Sequence, residues 1–433
     1  MKKILFIGIL GLWFQSLYAQ NLYSPAKKQS LPILLQGGTI HIGNGKIISN
    51  GEIRFENGKI VSVSEFSGEK NSSTTLEVIN TKGKHIYPGL ILINSFLGLN
   101  EIEAVRQAVD ANEIGDFNAN VRSLIAYNAE SNLIPTMKQN GILIAQVAPQ
   151  SGLLAGTSSI MQLDAWNWED AAYKIDDALH INFPAMYSNS GWWAEPGVTT
   201  KNDKRSEVIA KLDKVFNEAL AYSQNPNPEV KNLNFEAMRG LFDGSKKLFI
   251  RTDYGKEIIE SVQFFQQKKV KSIVVFGGRT SFQAAAFLKE NNIPLVIEHS
   301  LQLPERQDDD IDLPYKQPFL LQKAGVQWAM TFSDNLMNSR NLPFSAGIAC
   351  GYGLSQEEAL TSITLSSAKI LGIDHLTGSL EVGKDANIVV SEGDILDMRT
   401  NKITESFIQG RKQELRTRQT DLYQKYKNKF DGK

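Results

Sequence analysis

An alternation of strand-length and helix-length segments runs through the middle of this chain and limits its fold more than any other property. Gly141 to Val147, Lys247 to Arg251, Ser272 to Phe276, Pro294 to Glu298 and Gln327 to Phe332 read as short apolar strands. Glu257 to Gln267 and Phe282 to Asn291 read as helices between them. Ser355 to Leu371 reads as a further helix, with Ser355 as N-cap and Glu358 completing a capping box. Strands that are apolar throughout are buried on both faces, and parallel neighbours need a crossover of about a dozen residues. The pattern predicts an α/β fold around a largely parallel sheet. Periodicity alone does not separate a (β/α)8 barrel from a doubly wound sheet.

The two ends of the chain are different in kind. Leu34 to Ile40, Gly51 to Phe55, Lys59 to Val63 and Leu76 to Ile79 alternate like strands, and Asn57-Gly58 between two of them is a strong hairpin signal. The far end, Gly378 to Val390, is again turn and strand. A free-standing N-terminal β domain is one reading. A single small domain built from both ends is the other.

Composition bounds the function classes. Hydrophobic content of 42% and charged content of 21% over 433 residues describe a globular chain with a large core. The 46 basic and 47 acidic residues leave a net charge of −1, which gives no sign of a nucleic-acid or anionic-membrane surface. Lys2 and Lys3, the apolar run Ile4 to Phe14 and the small Ala19 before Gln20 form a secretory leader pattern, so residues 1–19 are expected to be removed and the protein to be periplasmic or secreted, with no membrane association after cleavage. The single cysteine, Cys350, excludes an intramolecular disulfide and reads as a core residue.

Pro88-Gly89-Leu90-Ile91-Leu92-Ile93-Asn94-Ser95-Phe96 resembles the Pro-Gly-Leu-Ile-Asp-x-His-x-His run that ends the first barrel strand in the amidohydrolase superfamily. Gly378-Ser379-Leu380 through Gly383 to Ala386-Asn387 is similar to that superfamily's closing Gly-x-Leu-x-x-Gly-x-x-Ala-(Asp/Asn) pattern. The segments Gly98 to Glu113 and Gly152 to Asp164 look like a secreted, imidazolonepropionase-like branch, the second as a Gly-rich turn. The resemblance implies a (β/α)8 TIM-like barrel over 87–377. It also implies a small β-sandwich from 20–86 and 378–433, the latter ending in a charged tail helix.

In such a barrel catalytic residues lie where strands end. The resemblance makes Asp334, in Thr331-Phe332-Ser333-Asp334, the candidate base that activates water and passes a proton to the leaving nitrogen. An N-cap or loop aspartate is the alternative. Asn94 and Phe96 stand where the superfamily carries its first two metal-binding histidines, and Arg251 where it usually carries another. A guanidinium repels a cation, so Arg251 is expected to pair with Asp334 or to hold an anionic substrate. His299 is the best placed of the five histidines; His180 reads as a strand-end, core or surface residue.

Glu298, His299 and Asp334 make at best a thin ligand set, so no cofactor is expected, with a weakly held zinc as the alternative. Arg279, in Gly277-Gly278-Arg279, is a candidate anion contact or simply part of a turn. Trp192 is a candidate cleft-lining aromatic or an anchor for the polar excursion from Ser188 to Asn234. Two functions follow: a hydrolase of C–N bonds in a small cyclic or peptide-like amide, or a non-catalytic binding or assembly partner of an active paralogue. A small-molecule ligand is expected in either case, and the protein could form a homo-oligomer.

Overall fold

The computed structural model describes residues 24–68, 76–192, 195–278, 280–303 and 309–432; the proposed leader and Arg279 lie outside them. The chain opens with β1 (Ile33–His41), β2 (Ile47–Glu56), β3 (Lys59–Glu65), β4 (Glu77–Asn80) and β5 (His85–Pro88). Between β2 and β3 only Asn57 and Gly58 remain, at φ of 51° and 79°. Two consecutive left-handed residues are what a type I′ hairpin requires, which is why Asn-Gly marks it.

Eight strands then form the central sheet: β6 (Leu90–Ser95), β7 (Ile142–Val147), β8 (Leu154–Gln162), β9 (Ala172–Asn182) and, after a ribbon of β10 (Tyr187–Trp192) and β11 (Glu195–Lys201), β12 (Lys247–Thr252), β13 (Ile273–Gly277), β14 (Leu295–Ile297) and β15 (Trp328–Met330). Hydrogen-bonded neighbours run in chain order from β6 to β15. At the seam between β6 and β15, the Thr331 hydroxyl donates to the Ile93 carbonyl at 2.6 Å. One strand departs from an all-parallel barrel: β8 runs antiparallel to both β7 and β9. The residues between β7 and β8, 148–153, are too few for a crossover, so the chain returns beside itself. The expected Gly-rich turn at Gly152 to Asp164 is therefore mostly a buried strand.

Every second residue of these strands points into the barrel. Ile91, Ile93, Ile144, Ile160, Ala178, Phe249, Val274, Val296 and Ala329 pack there as one apolar cluster. Ala368, Ile370 and Leu371, from the helix Leu365–Leu371, join the cluster and plug the end at which the strands begin. Lys247 Nζ donates to the Ile370 carbonyl and Lys174 Nζ to the Leu371 carbonyl at 3.0 Å. The opposite end, where the strands finish, is open to a cleft.

The expected single helix from Ser355 to Leu371 is two, Gln356–Ser362 and Leu365–Leu371. The Ser355–Glu358 capping box is present. The break falls at Ile363, whose carbonyl accepts from Ile91 N at 3.0 Å instead of continuing a helical ladder. The expected polar excursion holds the 19-residue helix Arg205–Ser223, which buries Leu212, Phe216 and Ala219. Most helical stability in a folded chain comes from packing an apolar stripe, and this helix packs its own against the barrel core that also holds Phe265.

The chain closes with β16 (Ile388–Ser391), β17 (Ile403–Ile408) and β18 (Arg411–Lys412). β16 pairs antiparallel with β5, so both ends share one sheet and a free-standing N-terminal β domain is excluded. Phe55 and Phe407, 5.0 Å apart and edge to face, sit in its core. The tail helix Arg418–Phe430 buries no residue.

Candidate active site

Continuing each strand by two residues beyond the apolar layer replaces hydrocarbon with polar groups. Ile144 leads to Gln146, Ile160 on reversed β8 to Ser158, Ala178 to His180, Phe249 to Arg251 and Val296 to Glu298. Beneath the mouth, Gln146 donates to Asp177 at 2.8 Å and the Ser158 hydroxyl donates to the same carboxylate at 2.7 Å. Burial pushes the Asp177 carboxyl upward, against those two bonds. The other end of Gln146 accepts from Asn94 N at 3.1 Å. Asn94 adopts a left-handed φ of 53°, a conformation asparagine tolerates better than most residues.

Above this layer lies a cleft of about 400 Å³, lined among others by Phe96, Asn100, Gln150, Arg251, Glu298 and Asp334. Arg251 does not pair with Asp334, contrary to one of the two sequence expectations. Its guanidinium donates to Gln150 Oε1 at 2.7 Å and lies 5.0 Å from the centre of the Phe276 ring. Loop residue Gln150 reaches it first, and Asp334 is already held elsewhere: His299 Nε2 is 2.9 Å from Asp334 Oδ2. The His299 side chain is 5% exposed and that of Asp334 49%, so the carboxylate faces the cleft while the imidazole backs it. The His299 ring stacks on Phe332 at 3.8 Å. Its Nδ1 accepts from Leu301 N at 3.1 Å, which assigns the ring proton to Nε2 and makes Asp334 the acceptor. Glu298 accepts from both the amide and the hydroxyl of Ser333, and burial pushes its carboxyl upward.

An amidohydrolase-like barrel raises the matter of a divalent metal. Among the described residues one group of potential ligands comes together, Glu298, His299 and Asp334, with ligand atoms within 4.8 Å of one another. The donor set does not fit a tightly held cation. His299 has one nitrogen protonated toward Asp334 and the other accepting from Leu301, so no imidazole lone pair is free, and the two carboxylates of Glu298 and Asp334 are left as donors. Asn94 offers a neutral amide, and Arg251 brings a fixed positive charge to the same cleft.

The structure brings Arg251 and Asp334 to one cleft, with His299 behind Asp334. Asn94 lines a smaller inner pocket with His180, Asn182, Phe249 and Arg251. Trp192 ends β10 on the ribbon outside the barrel sheet. His180 and Gln150 belong to the site and were not singled out for it from sequence. Two-residue periodicity from Ala178 points His180 inward, but nothing local marks Gln150, which arrives on a loop. His180 stacks on Phe249 at 5.0 Å, and burial, with the nearby Arg251 charge, pushes its pKa down to about 3.

The model of the family described as "Amidohydrolase family" matches residues 320–415, from before β15 to the end of the closing strands. Among solved structures the chain is similar to an amidohydrolase from Thermotoga maritima MSB8, with TM-score 0.76 and 21% identity, covering 89% of this chain and 100% of that one. A Xaa-Pro dipeptidase with bound methionine follows at TM-score 0.55 and 13% identity over 88% and 100% of the two chains. An adenosine deaminase from Xanthomonas campestris with bound Zn gives TM-score 0.54 and 15% identity over 93% and 98%. No curated protein matches the chain. The family match is confined to the last quarter of the chain, and the solved structures show that the chain shares the fold of amidohydrolases.

Proposed function

We propose that the protein is an exported hydrolase of C–N bonds in a small amide, with Asp334 as the base. The observation that carries this reading is the Asp334 carboxylate, held from behind by the His299 N–H and open in front to a cleft of about 400 Å³. In the proposed step a water proton passes to Asp334 as the water oxygen bonds to the amide carbon. Collapse of the adduct then breaks the C–N bond, and Asp334 returns the proton to the departing nitrogen, leaving a carboxylic acid and an amine. His299 orients the base throughout. The names of the structural neighbours, amidohydrolase, dipeptidase and deaminase, support chemistry at carbon–nitrogen bonds.

A positioned base contributes about 10²- to 10⁴-fold, so turnover without a metal is expected to be slow. That expectation, together with the Arg251 charge in the mouth, favours a second reading, a non-catalytic ligand-binding or assembly partner. The two separate in one experiment. The purified chain is incubated with a panel of dihydropyrimidines, lactams, dipeptides and N-acyl amino acids, and released amine or ring-opened acid is quantified. Hydrolysis that falls about 10²-fold or more in Asp334→Asn supports the enzyme. Rates equal to those of Asp334→Asn across the panel overturn it in favour of the binding reading.

A further inference from the structure

Arg251 is unusual among the charged groups of the mouth. Burial lowers its pKa, and Glu298 and Asp253 oppose that effect only at longer range. Its one hydrogen-bond partner among the described residues is the neutral amide of Gln150. A guanidinium carries five N–H donors, so most of its capacity is unspent. Removing a cation from water without a counter-charge is costly, and a site that does so is built for an anion.

The second observation is independent of the first. Arg251 also lines the inner pocket, of about 10 Å³, enough for one water-sized group. Asn94 and His180 line this pocket too, and Asn94 Nδ2 and His180 Nε2 are buried without a hydrogen-bond partner among the described residues. Asn94 is 2% exposed and His180 6%. Orphaned buried polar atoms cost about 1–3 kcal/mol each, so two beside an unpaired guanidinium call for a shared ligand. His180 stays neutral because burial and Arg251 disfavour a second positive charge.

We infer that Arg251, Asn94 and His180 form a seat for the carboxylate of a small organic acid, whose remaining body lies in the larger cleft. The inner pocket admits one oxygen-sized group and not a tetrahedral phosphate. A dianion would also meet acids in the same cleft, where Glu103, Glu298 and Asp334 form part of the wall. A positive group and carboxylates lining one cleft suit a molecule with a free carboxylate and an N–H-bearing amide, of the N-acyl amino acid or dipeptide class. The seat is independent of catalysis; that its occupant is the substrate rests on the hydrolase reading above.

The test is binding, read by calorimetry on the purified chain with N-acetylglycine, N-acetylglycinamide and inorganic phosphate as probes. N-acetylglycine is expected to bind at least tenfold more tightly than either other probe. Arg251→Gln is expected to lose at least tenfold in affinity for it. Asn94→Asp, nearly isosteric but anionic, is expected to lose as much with a urea midpoint at or above that of the wild type, because the new carboxylate pairs with Arg251, and this guards against a misfolded Arg251 variant. Asp334→Asn is expected to keep the preference for N-acetylglycine over N-acetylglycinamide, and a wild-type chain that binds N-acetylglycine but hydrolyses no amide refutes only the catalytic reading. Equal binding of acid and amide, tighter binding of phosphate, no binding of any probe, or unchanged affinity in Asn94→Asp and Arg251→Gln would each overturn the seat.

Discussion

Replacing Lys247 by methionine tests how the closed end of the barrel is held. Lys247 begins β12, and its ammonium donates to the Ile370 carbonyl, one of the last of the plugging helix, beside Lys174 on Leu371. Two ammonium groups against a helix C-terminus complement its partial negative charge. Burial, and then the Lys174 charge, bring the Lys247 pKa from 10.5 down to about 8. Between those values the unfolded chain binds a proton that the folded chain does not, so stability rises with pH across that window and is lower below pH 8. At about 1.36 kcal/mol per tenfold change in proton affinity, the full difference is at most about 3 kcal/mol. Lys138 and Lys246 are lowered in the same sense, and the buried Tyr87, Tyr127 and Tyr173 are raised and act oppositely at higher pH. The informative quantity is therefore wild type minus Lys247→Met, measured by urea unfolding in steps from pH 8 to pH 10. The wild type is expected to gain about 2–3 kcal/mol relative to the variant over that range. A difference that stays flat with pH refutes the argument, whatever the absolute stability of the variant.

Other outcomes follow from the same geometry. His180, held neutral down to about pH 3, opposes folding progressively as pH falls below 6.5; at pH 5 it is expected to cost ~2 kcal/mol, which His180→Asn removes from the pH dependence of urea unfolding. Gly58→Ala is expected to cost about 1–2 kcal/mol of strain from the left-handed conformation alone, seen as a lower urea midpoint. More is expected because a Cβ there would lie 2.9 Å from the Gln409 carbonyl oxygen. Elemental mass spectrometry of the purified chain after incubation with zinc is expected to return well below a stoichiometric amount; stoichiometric zinc lost in both Asp334→Ala and His299→Ala would refute the reading of the donor set.

Much of this architecture is local and therefore legible in the sequence. The Asn57-Gly58 hairpin, the Ser355 capping box and the apolar strands from Gly141 to Gln327 each follow from short-range sterics, hydrogen bonding and periodicity. The amidohydrolase-like fold was legible too, from the motifs at Pro88 and Gly378, and β16 pairs with β5 as a domain built from both ends requires. Asp334, His299, Arg251 and Asn94 could be named because strand ends face the mouth.

Tertiary structure decided the rest, since it turns on which groups meet. The antiparallel turn of β8 depends on how few residues connect it to β7 once both are in one sheet. The split of the Ser355 to Leu371 helix depends on Ile91 competing for the Ile363 carbonyl from far away in the chain. That Arg251 meets Gln150 and not Asp334, and that Asn94 and His180 share a pocket with it, is set by loops and strands distant in sequence. Composition and periodicity record which face a residue presents; only the folded chain determines its partner, because hydrogen bonds and charges act over a few ångströms of space and not along the sequence.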